Sequence, residues 1–375
     1  MGSIKVMFAG GGTGGHLFPA IAIAEEIKSI VPNADIIFIG TKDKIEARVV
    51  PQKGFVFSTI WISGFHRSLR LSNLLFPVKV IISLMQSYSI IKKFKPDVVV
   101  GTGGYVSGPI VYTASVLKVP TLIHEQNSYP GVTTRLLGNR VNAVCITFEQ
   151  AKRYLKRTEN VYFTGNPTRV SLDNVNVSEA QKYFGFDSKS GQKTLLVFGG
   201  SLGATTINSA VLHHLESFIK QNIRIIWQTG KEDFAQIKEA TKKYDSSALW
   251  VNSFIDRMDY AYSASDLVVC RAGATTIAEL TRLGKPAILI PYPFAAADHQ
   301  TENGKAMSES GAALMLKDSS VKEKIGVVVT DLLSNNQQLE EISKKCKMLG
   351  KPNASREIAE RILSLNRRGN SSKGS

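Results

Sequence analysis

The chain has 375 residues, with 46 lysines and arginines against 31 aspartates and glutamates, so its formal net charge is +15. A chain of this length is too long for a single hydrophobic core of ordinary size. It is long enough for two domains of roughly 150 to 200 residues each. Three scattered cysteines, Cys145, Cys270 and Cys346, have no metal-ligand spacing, which argues against structural zinc and favours a reducing compartment.

The first predicted element is a buried strand at residues 5–9, an apolar run. It leads into a glycine-rich segment at residues 10–15 and then His16, and a helix is predicted at residues 20–29. Glycines between a strand and a helix let backbone N–H groups approach a phosphate near the positive end of the helix dipole. A tight turn that only needs positive φ is the alternative. We therefore expect an anion here, with His16 placed as a reacting group.

Strands and helices alternate along the rest of the chain. In the first half, further strands are predicted at residues 35–39, 97–101, 121–124 and 143–147. The helices between them are predicted at residues 45–53, 73–93, 108–117 and 149–155. In the second half, strands are predicted at residues 194–198, 224–228, 248–252, 267–270 and 287–290. This alternation predicts parallel sheets that helices cover on both faces.

The segment Gly165-Asn166-Pro167 interrupts the alternation and separates two such runs. We therefore predict an α/β fold with two Rossmann-like domains, residues 1–165 and 166–351, whose sheets are separated by a cleft. A helix at residues 352–366 is expected to pack back on the first domain. Residues 367–375 are polar and rich in glycine and serine, so a disordered tail is expected.

Four predicted strands end in a turn that contains glycine. These turns are at residues 10–15, 103–108, 199–203 and 271–274. One such turn is weak evidence, but ligands bind at the carboxyl ends of strands in open α/β sheets, where all four lie. The sequence thus predicts ligand sites in both domains.

The first turn also fits the Gly10-x-Gly12-x-x-Gly15 fingerprint of dinucleotide-binding proteins. That fingerprint needs an acidic residue at the end of the second strand to hold the ribose. Here the second strand is followed by Gly40-Thr41-Lys42. A nicotinamide-dependent oxidoreductase is therefore disfavoured.

Taken together, the motifs resemble the MurG family of glycosyltransferases, family 28, which has the GT-B fold. The matching segments are residues 11–16, 103–109, 124–127, 165–169, 199–204, 270–274 with Glu279, and 298–300. They extend from residue 11 to about residue 306 in the family's order. Two departures are visible, because Leu202 stands where a polar residue is expected and Thr301 where some relatives have a second glutamine.

The resemblance implies an inverting transfer of N-acetylglucosamine from UDP-N-acetylglucosamine to the C4 hydroxyl of an undecaprenyl-pyrophosphoryl-N-acetylmuramyl-pentapeptide lipid. This is the lipid I to lipid II step of peptidoglycan synthesis. The second domain is expected to hold most of the donor and the first domain the acceptor. No obligatory metal or other cofactor is implied.

The resemblance also assigns binding residues. The implied donor contacts are Thr13, Gly14, Gly15, Asn127, Arg169, Ser201, Ile255, Ala274, Thr275, Glu279 and Gln300. The implied acceptor pyrophosphate contacts are Gly12, Gly14, Gly15, Gly103, Gly104 and Tyr105. Glu279 is expected to accept hydrogen bonds from the ribose hydroxyls.

Transfer with inversion needs a base that removes the proton of the acceptor hydroxyl. His16 is the first candidate, because the pKa of histidine lies near neutrality. Glu125 is the second candidate, and His16 would then only donate a hydrogen bond to the acceptor or to a phosphate.

A membrane-contacting helix face is implied at Leu74, Val78, Ile81 and Leu84, with Lys79 among the surrounding cations. The alternative is a helix packed on its own sheet. The net charge of +15 favours an anionic membrane surface. The basic residues form no arginine-rich tract with interleaved aromatic residues, so no nucleic acid is expected.

We therefore expect a peripheral enzyme at the cytoplasmic face of the cell membrane, with other cell-wall synthesis proteins left open as partners. No segment has the pattern of a signal peptide or a membrane-spanning helix. Three alternatives stay open: a GT-B transferase for another lipid acceptor, a sugar-nucleotide epimerase, and a non-catalytic nucleotide-binding membrane adaptor.

Overall fold

The chain folds into two compact units in the computed structural model, which describes residues 4–63, 76–168, 172–173, 175–187, 191–200, 203–295 and 298–371. Unit 1 comprises residues 1–168 and 351–375, and unit 2 comprises residues 169–350. Each unit contains one parallel sheet with helices, so the predicted α/β fold of two Rossmann-like domains is confirmed.

Unit 1 contains a seven-stranded sheet in the order β3-β2-β1-β4-β5-β6-β7, in which every pair is parallel. Its strands are β1 Lys5–Gly10, β2 Asp35–Gly40, β3 Val56–Thr59, β4 Val98–Gly103, β5 Thr121–Glu125, β6 Ala143–Ile146 and β7 Val161–Phe163. Its helices are α1 Gly14–Ile30, α2 Ile45–Gln52, α3 Phe76–Phe94, α4 Ser107–Val116, α5 Val132–Leu137 and α14 Ala354–Ser371, with a 3₁₀ helix at Glu149–Tyr154.

The sheet of unit 1 is buried on both faces. Along β1, Val6 and Phe8 belong to one apolar cluster, whereas Met7 and Ala9 belong to the cluster on the other face. Successive side chains of a strand point to opposite faces, so continuous burial requires the continuous apolar run seen in the sequence.

The first helix begins six residues earlier than predicted. α1 starts at Gly14 and contains Pro19, whereas the sequence predicted a helix that starts after that proline. Proline removes one backbone hydrogen bond from a helix, but Leu17, Pro19 and Ala20 are buried in this helix, and their burial offsets the loss. As a result, Gly14, Gly15 and His16 lie in the first turn of α1 rather than in a loop.

The C-terminal helix α14 packs into the core of unit 1. Ile358, Ala359 and Ile362 are fully buried in the same cluster as α1 side chains such as Leu17 and Ile23. The helix continues to Ser371, five residues beyond its predicted end at residue 366, and the disordered tail after it stays a prediction. A single glycine near a helix end costs only about 1 kcal/mol, which is why Gly369 does not end this helix.

Unit 2 contains a six-stranded parallel sheet in the order β10-β9-β8-β11-β12-β13. Its strands are β8 Thr194–Phe198, β9 Arg224–Gln228, β10 Leu249–Asn252, β11 Leu267–Cys270, β12 Ala287–Leu289 and β13 Leu314–Met315. Its helices are α6 Val177–Tyr183, α7 Thr205–Lys220, α8 Lys231–Thr241, α9 Met258–Ala264, α10 Ala274–Leu283, α11 His299–Glu309, α12 Val321–Ser334 and α13 Asn336–Met348, with a 3₁₀ helix at Asp318–Ser320. Trp227 is completely buried in its core.

All ten predicted strands are present, with ends within two residues of the prediction. Three short strands, β3, β7 and β13, were not predicted, and each lies at the edge of a sheet. Their side chains are less buried than those of the central strands, so no continuous apolar run reveals them. No described helix is both long and apolar enough to cross a membrane.

We expect Ile362→Ala to lower the free energy of unfolding of unit 1 by about 2 to 5 kcal/mol, because it leaves a cavity in a closed core. Glu360→Ala, at an exposed position two residues earlier in α14, should change it by about 0.5 kcal/mol or less. Hydrogen exchange of β1 and α1 peptides measures both effects. Equal protection in the two variants would mean that α14 contributes little to this core.

Candidate functional site

Two glycine turns of unit 1 lie in direct contact at the carboxyl edge of its sheet. They follow the neighbouring strands β1 and β4. A Cβ atom on Gly104, whose φ is +78°, would lie 2.4 Å from the carbonyl oxygen of Gly11. A Cβ atom on Gly103, whose φ is +104°, would lie 2.5 Å from Nδ1 of His16. Only glycine fits at either position, so these residues bring the two turns and the His16 ring together.

A buried carboxylate holds the first glycine turn. Glu46, in the first turn of α2, is 1% exposed. Its Oε2 accepts a hydrogen bond from the N–H of Gly12 at 2.9 Å, and its Oε1 accepts from the N–H and the hydroxyl of Thr41. The N–H of Gly12 is therefore used within the protein, and the expected pyrophosphate contact of that residue stays a prediction. Glu46 itself was not among the predicted site residues.

The N-terminus of α1 remains suited to an anion. Thr13 is the N-cap residue, and its side chain makes no capping hydrogen bond. The first N–H groups of a helix have no partner within the helix, and they lie at the positive end of its dipole. The N–H groups of His16 and Leu17 point back to the carbonyl of Thr13. Gly14 and Gly15 are thus the residues whose N–H groups can meet a phosphate.

His16 is the first member of a chain of hydrogen-bonded side chains. Its Nδ1 lies 3.0 Å from Oε1 of Gln126, which is 3% exposed. Nε2 of Gln126 lies 2.9 Å from the carbonyl oxygen of Thr102 and 3.0 Å from Nδ1 of His124. Nε2 of His124 lies 3.1 Å from the carbonyl oxygen of Gly165. The chain thus connects the first glycine turn, the end of β4 and the segment after β7.

His124 is neutral at neutral pH. Burial lowers its pKa to about 4, because the charged imidazolium loses its hydration. The carbonyl of Gly165 opposes this shift, and the neighbouring His16 adds to it. His124 is therefore a fixed hydrogen-bonding group rather than a proton carrier.

Glu125, the second predicted base, is buried and already occupied by hydrogen bonds. Glu125 is 4% exposed. Oε1 accepts from the backbone and side-chain nitrogens of Asn127, at 3.1 and 3.4 Å. Oε2 accepts from the N–H of Gly131 at 3.0 Å and from the hydroxyl of Thr134 at 2.6 Å. This carboxylate shapes the segment that carries Asn127 and begins α5.

Tyr105 follows the second glycine turn and has an exposed ring. It precedes α4, which starts at Ser107. The ring is accessible to a ligand at this edge of the sheet.

In unit 2, the turn after β8 makes a close backbone contact. A Cβ atom on Gly203, whose φ is +88°, would lie 2.2 Å from the carbonyl oxygen of Thr229, so only glycine fits there. Ser201 and Leu202 in the same turn, and Arg169, lie outside the described residues.

Gln228, at the end of β9, joins two predicted donor segments. Its Nε2 donates to the carbonyl of Gly200 at 2.8 Å, and its Oε1 accepts from the N–H of Ile255 at 2.9 Å. Ile255 is buried, and the neighbouring Phe254 has an exposed ring. The N–H of Ile255 is thus used within the protein, and its carbonyl is the backbone group that a base could meet. Gln228 and Phe254 were not predicted.

The predicted ribose and phosphate contacts lie on α10. Ala274 and Thr275 form its start, after the N-cap residue Gly273. Glu279 lies further along the same helix and is buried, and its Oε2 accepts a hydrogen bond from the hydroxyl of Tyr262 at 3.0 Å. The helix start can meet a phosphate, and the carboxylate is held in place by a tyrosine of α9.

Gln300 lies in the first turn of α11, and its Oε1 accepts from the N–H of Tyr292 at 2.9 Å. A sugar hydroxyl would therefore have to be met by its amide nitrogen. Thr301 donates through its hydroxyl to Asp298 at 2.6 Å, and Asp298 is the N-cap residue with a φ of +54°. Thr301, which departs from the family pattern, thus hydrogen-bonds the N-cap residue of α11.

The exposed face of α3 differs from the predicted one. Its exposed apolar residues are Val78, Ile81, Met85 and Tyr88, whereas Leu84 is half-buried. A helical face follows alternating steps of three and four residues, because one turn takes 3.6 residues, and a second step of three to Leu84 leaves the face. Leu74 lies outside the described residues.

Two lysines of α3 lie near aromatic rings. Nζ of Lys79 lies 2.9 Å from the hydroxyl of Ser63 and 5.5 Å from the ring centre of Trp61. Nζ of Lys92 lies 5.6 Å from the ring centre of Tyr88. Lys92 therefore places positive charge beside the exposed apolar face, whereas Lys79 is rotated about 100° from Val78 around the helix.

Two family models match the chain. Residues 6–146 match the glycosyltransferase family 28 N-terminal domain, and residues 194–362 match the glycosyltransferase family 28 C-terminal domain.

The chain is also similar to named bacterial proteins along nearly its whole length. A protein of Flavobacterium psychrophilum is 42% identical over 367 residues, which are 97% of this chain and 98% of that protein. A protein of Parabacteroides distasonis is 38% identical over 97% of this chain and 99% of its own length. Both are named UDP-N-acetylglucosamine–N-acetylmuramyl-(pentapeptide) pyrophosphoryl-undecaprenol N-acetylglucosamine transferase.

Solved structures show the same architecture. MurG of Acinetobacter baumannii matches with a TM-score of 0.77 and 28% identity, over 96% of this chain and 99% of that one. A UDP-GlcNAc 2-epimerase of Neisseria meningitidis, bound to UDP-GlcNAc, matches with a TM-score of 0.66 and 15% identity, over 97% and 100% of the two chains. The second likeness is one of fold alone.

Acid should destabilise unit 1 through His124. Its pKa is lowered from 6.5 to about 4 by burial, so between these values the unfolded chain binds more protons than the folded one. The free energy of unfolding therefore falls as the pH drops through this window. From pH 7.5 to pH 5 we expect a loss of about 2 kcal/mol from this residue alone.

Urea unfolding at pH 7.5 and pH 5, compared between the wild type and His124→Gln, measures this loss. Glutamine supplies a donor for the carbonyl of Gly165 but does not titrate. The variant should lose less stability than the wild type on acidification, by about 2 kcal/mol. An identical loss in both proteins would show that His124 does not contribute.

Proposed function

The chain belongs to glycosyltransferase family 28, and from that membership we propose that it transfers N-acetylglucosamine from UDP-N-acetylglucosamine to the N-acetylmuramyl-pentapeptide of a pyrophosphoryl-undecaprenol lipid. The observation that carries this proposal is the full-length similarity, at 42% identity over 97% of the chain, to a transferase of that name. The reaction is a glycosyl transfer that converts lipid I to lipid II. The proposal places the chain in peptidoglycan synthesis.

In this reaction one bond forms and one breaks. The oxygen of the C4 hydroxyl on the muramyl sugar attacks C1 of N-acetylglucosamine, and the bond from C1 to the phosphate oxygen of UDP breaks with its electron pair. Attack from the side opposite to UDP inverts the configuration at C1. The hydroxyl proton must go to a base, and the charge on UDP must be met by donors.

His16 is the base in this proposal. It lies in the first turn of α1, directly after Gly14 and Gly15, and a pyrophosphate at these N–H groups would bring the lipid-linked sugar to the imidazole. The rival base, Glu125, already accepts hydrogen bonds from Asn127, Gly131 and Thr134. We assign Glu125 the role of holding the segment with Asn127, which can then meet the donor sugar.

Other acceptor contacts follow from the same edge of the sheet. The second glycine turn, with Gly103 and Gly104, lies against the first one. The exposed ring of Tyr105 follows it. We propose that these residues complete the acceptor pyrophosphate site, without the N–H of Gly12.

Unit 2 is proposed to bind the donor. The start of α10, with Ala274 and Thr275, would meet a phosphate of UDP, and the buried carboxylate of Glu279 would accept from the ribose. The exposed ring of Phe254, beside Ile255, offers a stacking surface for uracil. Helix N-termini meet the charge of the departing UDP in this scheme, so no metal ion or other cofactor is part of it.

The acceptor lipid lies in a membrane, and the exposed face of α3 supports peripheral binding. Val78, Ile81, Met85 and Tyr88 form an apolar stripe on this helix, and Lys92 lies beside it. Apolar side chains enter the lipid boundary while cations are attracted to anionic headgroups. We propose that this face binds the cytoplasmic surface of the cell membrane.

Release of UDP from UDP-N-acetylglucosamine, with and without a short-chain lipid I analogue, tests the proposed function. We expect release to depend on the acceptor. His16→Ala should lower kcat by about 100-fold to 10,000-fold, the usual contribution of a general base. His213→Ala, at an exposed histidine of α7 in unit 2, is the control and should keep normal turnover. Acceptor-independent release would contradict the proposed transfer, and normal turnover of His16→Ala would contradict the role of this histidine.

Sedimentation with vesicles of phosphatidylglycerol and phosphatidylcholine at low salt tests the membrane face. Ile81→Asp should weaken binding about tenfold or more, because burial of one such side chain contributes roughly 1.5 to 3 kcal/mol. Val327→Asp, at an exposed position of α12 in unit 2, is the control and should bind as the wild type does. Equal binding of both variants would exclude the α3 face as the contact.

A further inference from the structure

The hydrogen-bond chain behind His16 determines which of its two ring nitrogens can accept a proton. The orientation of the Gln126 amide is the first step. Its Nε2 faces two carbonyl oxygens, those of Thr102 at 2.9 Å and His124 at 3.1 Å. A carbonyl oxygen can only accept a hydrogen bond, so the atom that faces both must be the NH₂ group. With the amide reversed, Oε1 of Gln126 would face the carbonyl oxygens of Thr102 and His124, and no hydrogen would lie between these three acceptors.

The second step concerns His16. Because the amide is fixed, its Oε1 faces Nδ1 of His16 at 3.0 Å. An amide oxygen has no hydrogen to donate, so Nδ1 must carry the hydrogen of this bond. A neutral imidazole has a hydrogen on only one ring nitrogen. The lone pair of His16 is therefore on Nε2.

The third step fixes the other end of the chain. Nε2 of His124 faces the carbonyl oxygen of Gly165 at 3.1 Å and must donate to it. The lone pair of His124 is then on Nδ1, which accepts from Nε2 of Gln126 at 3.0 Å. This arrangement requires a neutral His124, which agrees with a pKa that burial lowers to about 4. A protonated His124 would direct an N–H group at the Gln126 NH₂ group.

Packing holds the His16 ring at this partner. The position where a Cβ atom of Gly103 would lie is 2.5 Å from Nδ1 of His16 and 2.7 Å from Cε1. The ring thus rests on the backbone of the second glycine turn and keeps its Nδ1 side towards Gln126.

We propose that Gln126 and His124 are positioning residues that hold His16 in the tautomer with hydrogen on Nδ1, so that Nε2 is the nitrogen that takes the acceptor proton. This inference rests on the proposed role of His16 as the base. Free histidine prefers the opposite tautomer, with hydrogen on Nε2, which cannot accept a proton at that nitrogen. A neutral amide selects the reactive tautomer without adding a charge beside the buried Glu125.

Nitrogen-15 NMR of histidine-labelled protein at pH 8 tests the tautomer directly, and His16→Ala identifies the signals of His16. In the wild type we expect a protonated Nδ1 and an unprotonated Nε2. Methionine in Gln126→Met has no oxygen to accept the hydrogen bond from Nδ1 of His16. This variant should therefore shift His16 towards the tautomer with hydrogen on Nε2. A wild-type His16 with hydrogen on Nε2, or an unchanged tautomer in Gln126→Met, would overturn the inference.

Steady-state kinetics separate positioning from general loss of structure. Gln126→Met should lower kcat about tenfold or more and leave KM for UDP-N-acetylglucosamine within about twofold, since a mispositioned base affects the chemical step. Asn160→Leu is the matched control, because Asn160 is also a buried amide of unit 1 whose nitrogen donates to two carbonyls, those of Gly138 and Val141. An equal fall of kcat in the control would assign the effect to unit 1 as a whole and contradict a positioning role.

The two proposals fail in different ways. If His16→Ala keeps normal turnover, the base role fails whatever the NMR spectrum shows. If His16→Ala is inactive but wild-type His16 carries hydrogen on Nε2, the transferase stands and only the tautomer inference fails.

Discussion

The contact between two glycine turns in unit 1 is the constraint on which the candidate site of this unit depends. The carbonyl of Gly11 occupies the space of a side chain at residue 104, and the His16 ring occupies that of a side chain at residue 103. Any larger residue would separate the turns or displace the imidazole. The N-terminus of α1, the histidine and the second turn therefore form one unit of structure, set by adjacent parallel strands.

Buried polar side chains stabilise the loops around this contact, and they differ from the groups that would react. Glu46 and Glu125 accept hydrogen bonds mainly from backbone N–H groups and hydroxyls, and Gln228 joins two loops of unit 2. Burying such groups is costly unless they are paired. Their pairing makes the loops rigid, so that the more exposed groups at their ends can be held in a defined geometry.

The sequence was sufficient to predict the alternation of strands and helices and the two parallel sheets, because buried strands need continuous apolar runs. The start of α1 was not predicted, since a proline normally marks a boundary and only its burial explains this exception. Glu46, Gln126 and Gln228 were not predicted, because their partners are 34, 110 and 27 residues away. The local sequence pattern does not show which residues pair over such separations. His16 and Glu125 differ in burial and in hydrogen bonding, and the sequence pattern does not show that difference.

The path of the chain has a consequence for the order of folding during synthesis. Domains of a growing chain usually fold from the N-terminus. Here the apolar surface of α1 and the first sheet is closed by Ile358, Ile362 and Leu365 of the last helix, whereas residues 169–350 form a continuous unit. The second unit can therefore complete its core on the ribosome while the first still lacks its final helix. Until residues 354–365 have been synthesised, the apolar surface of α1 and the first sheet that they cover stays open.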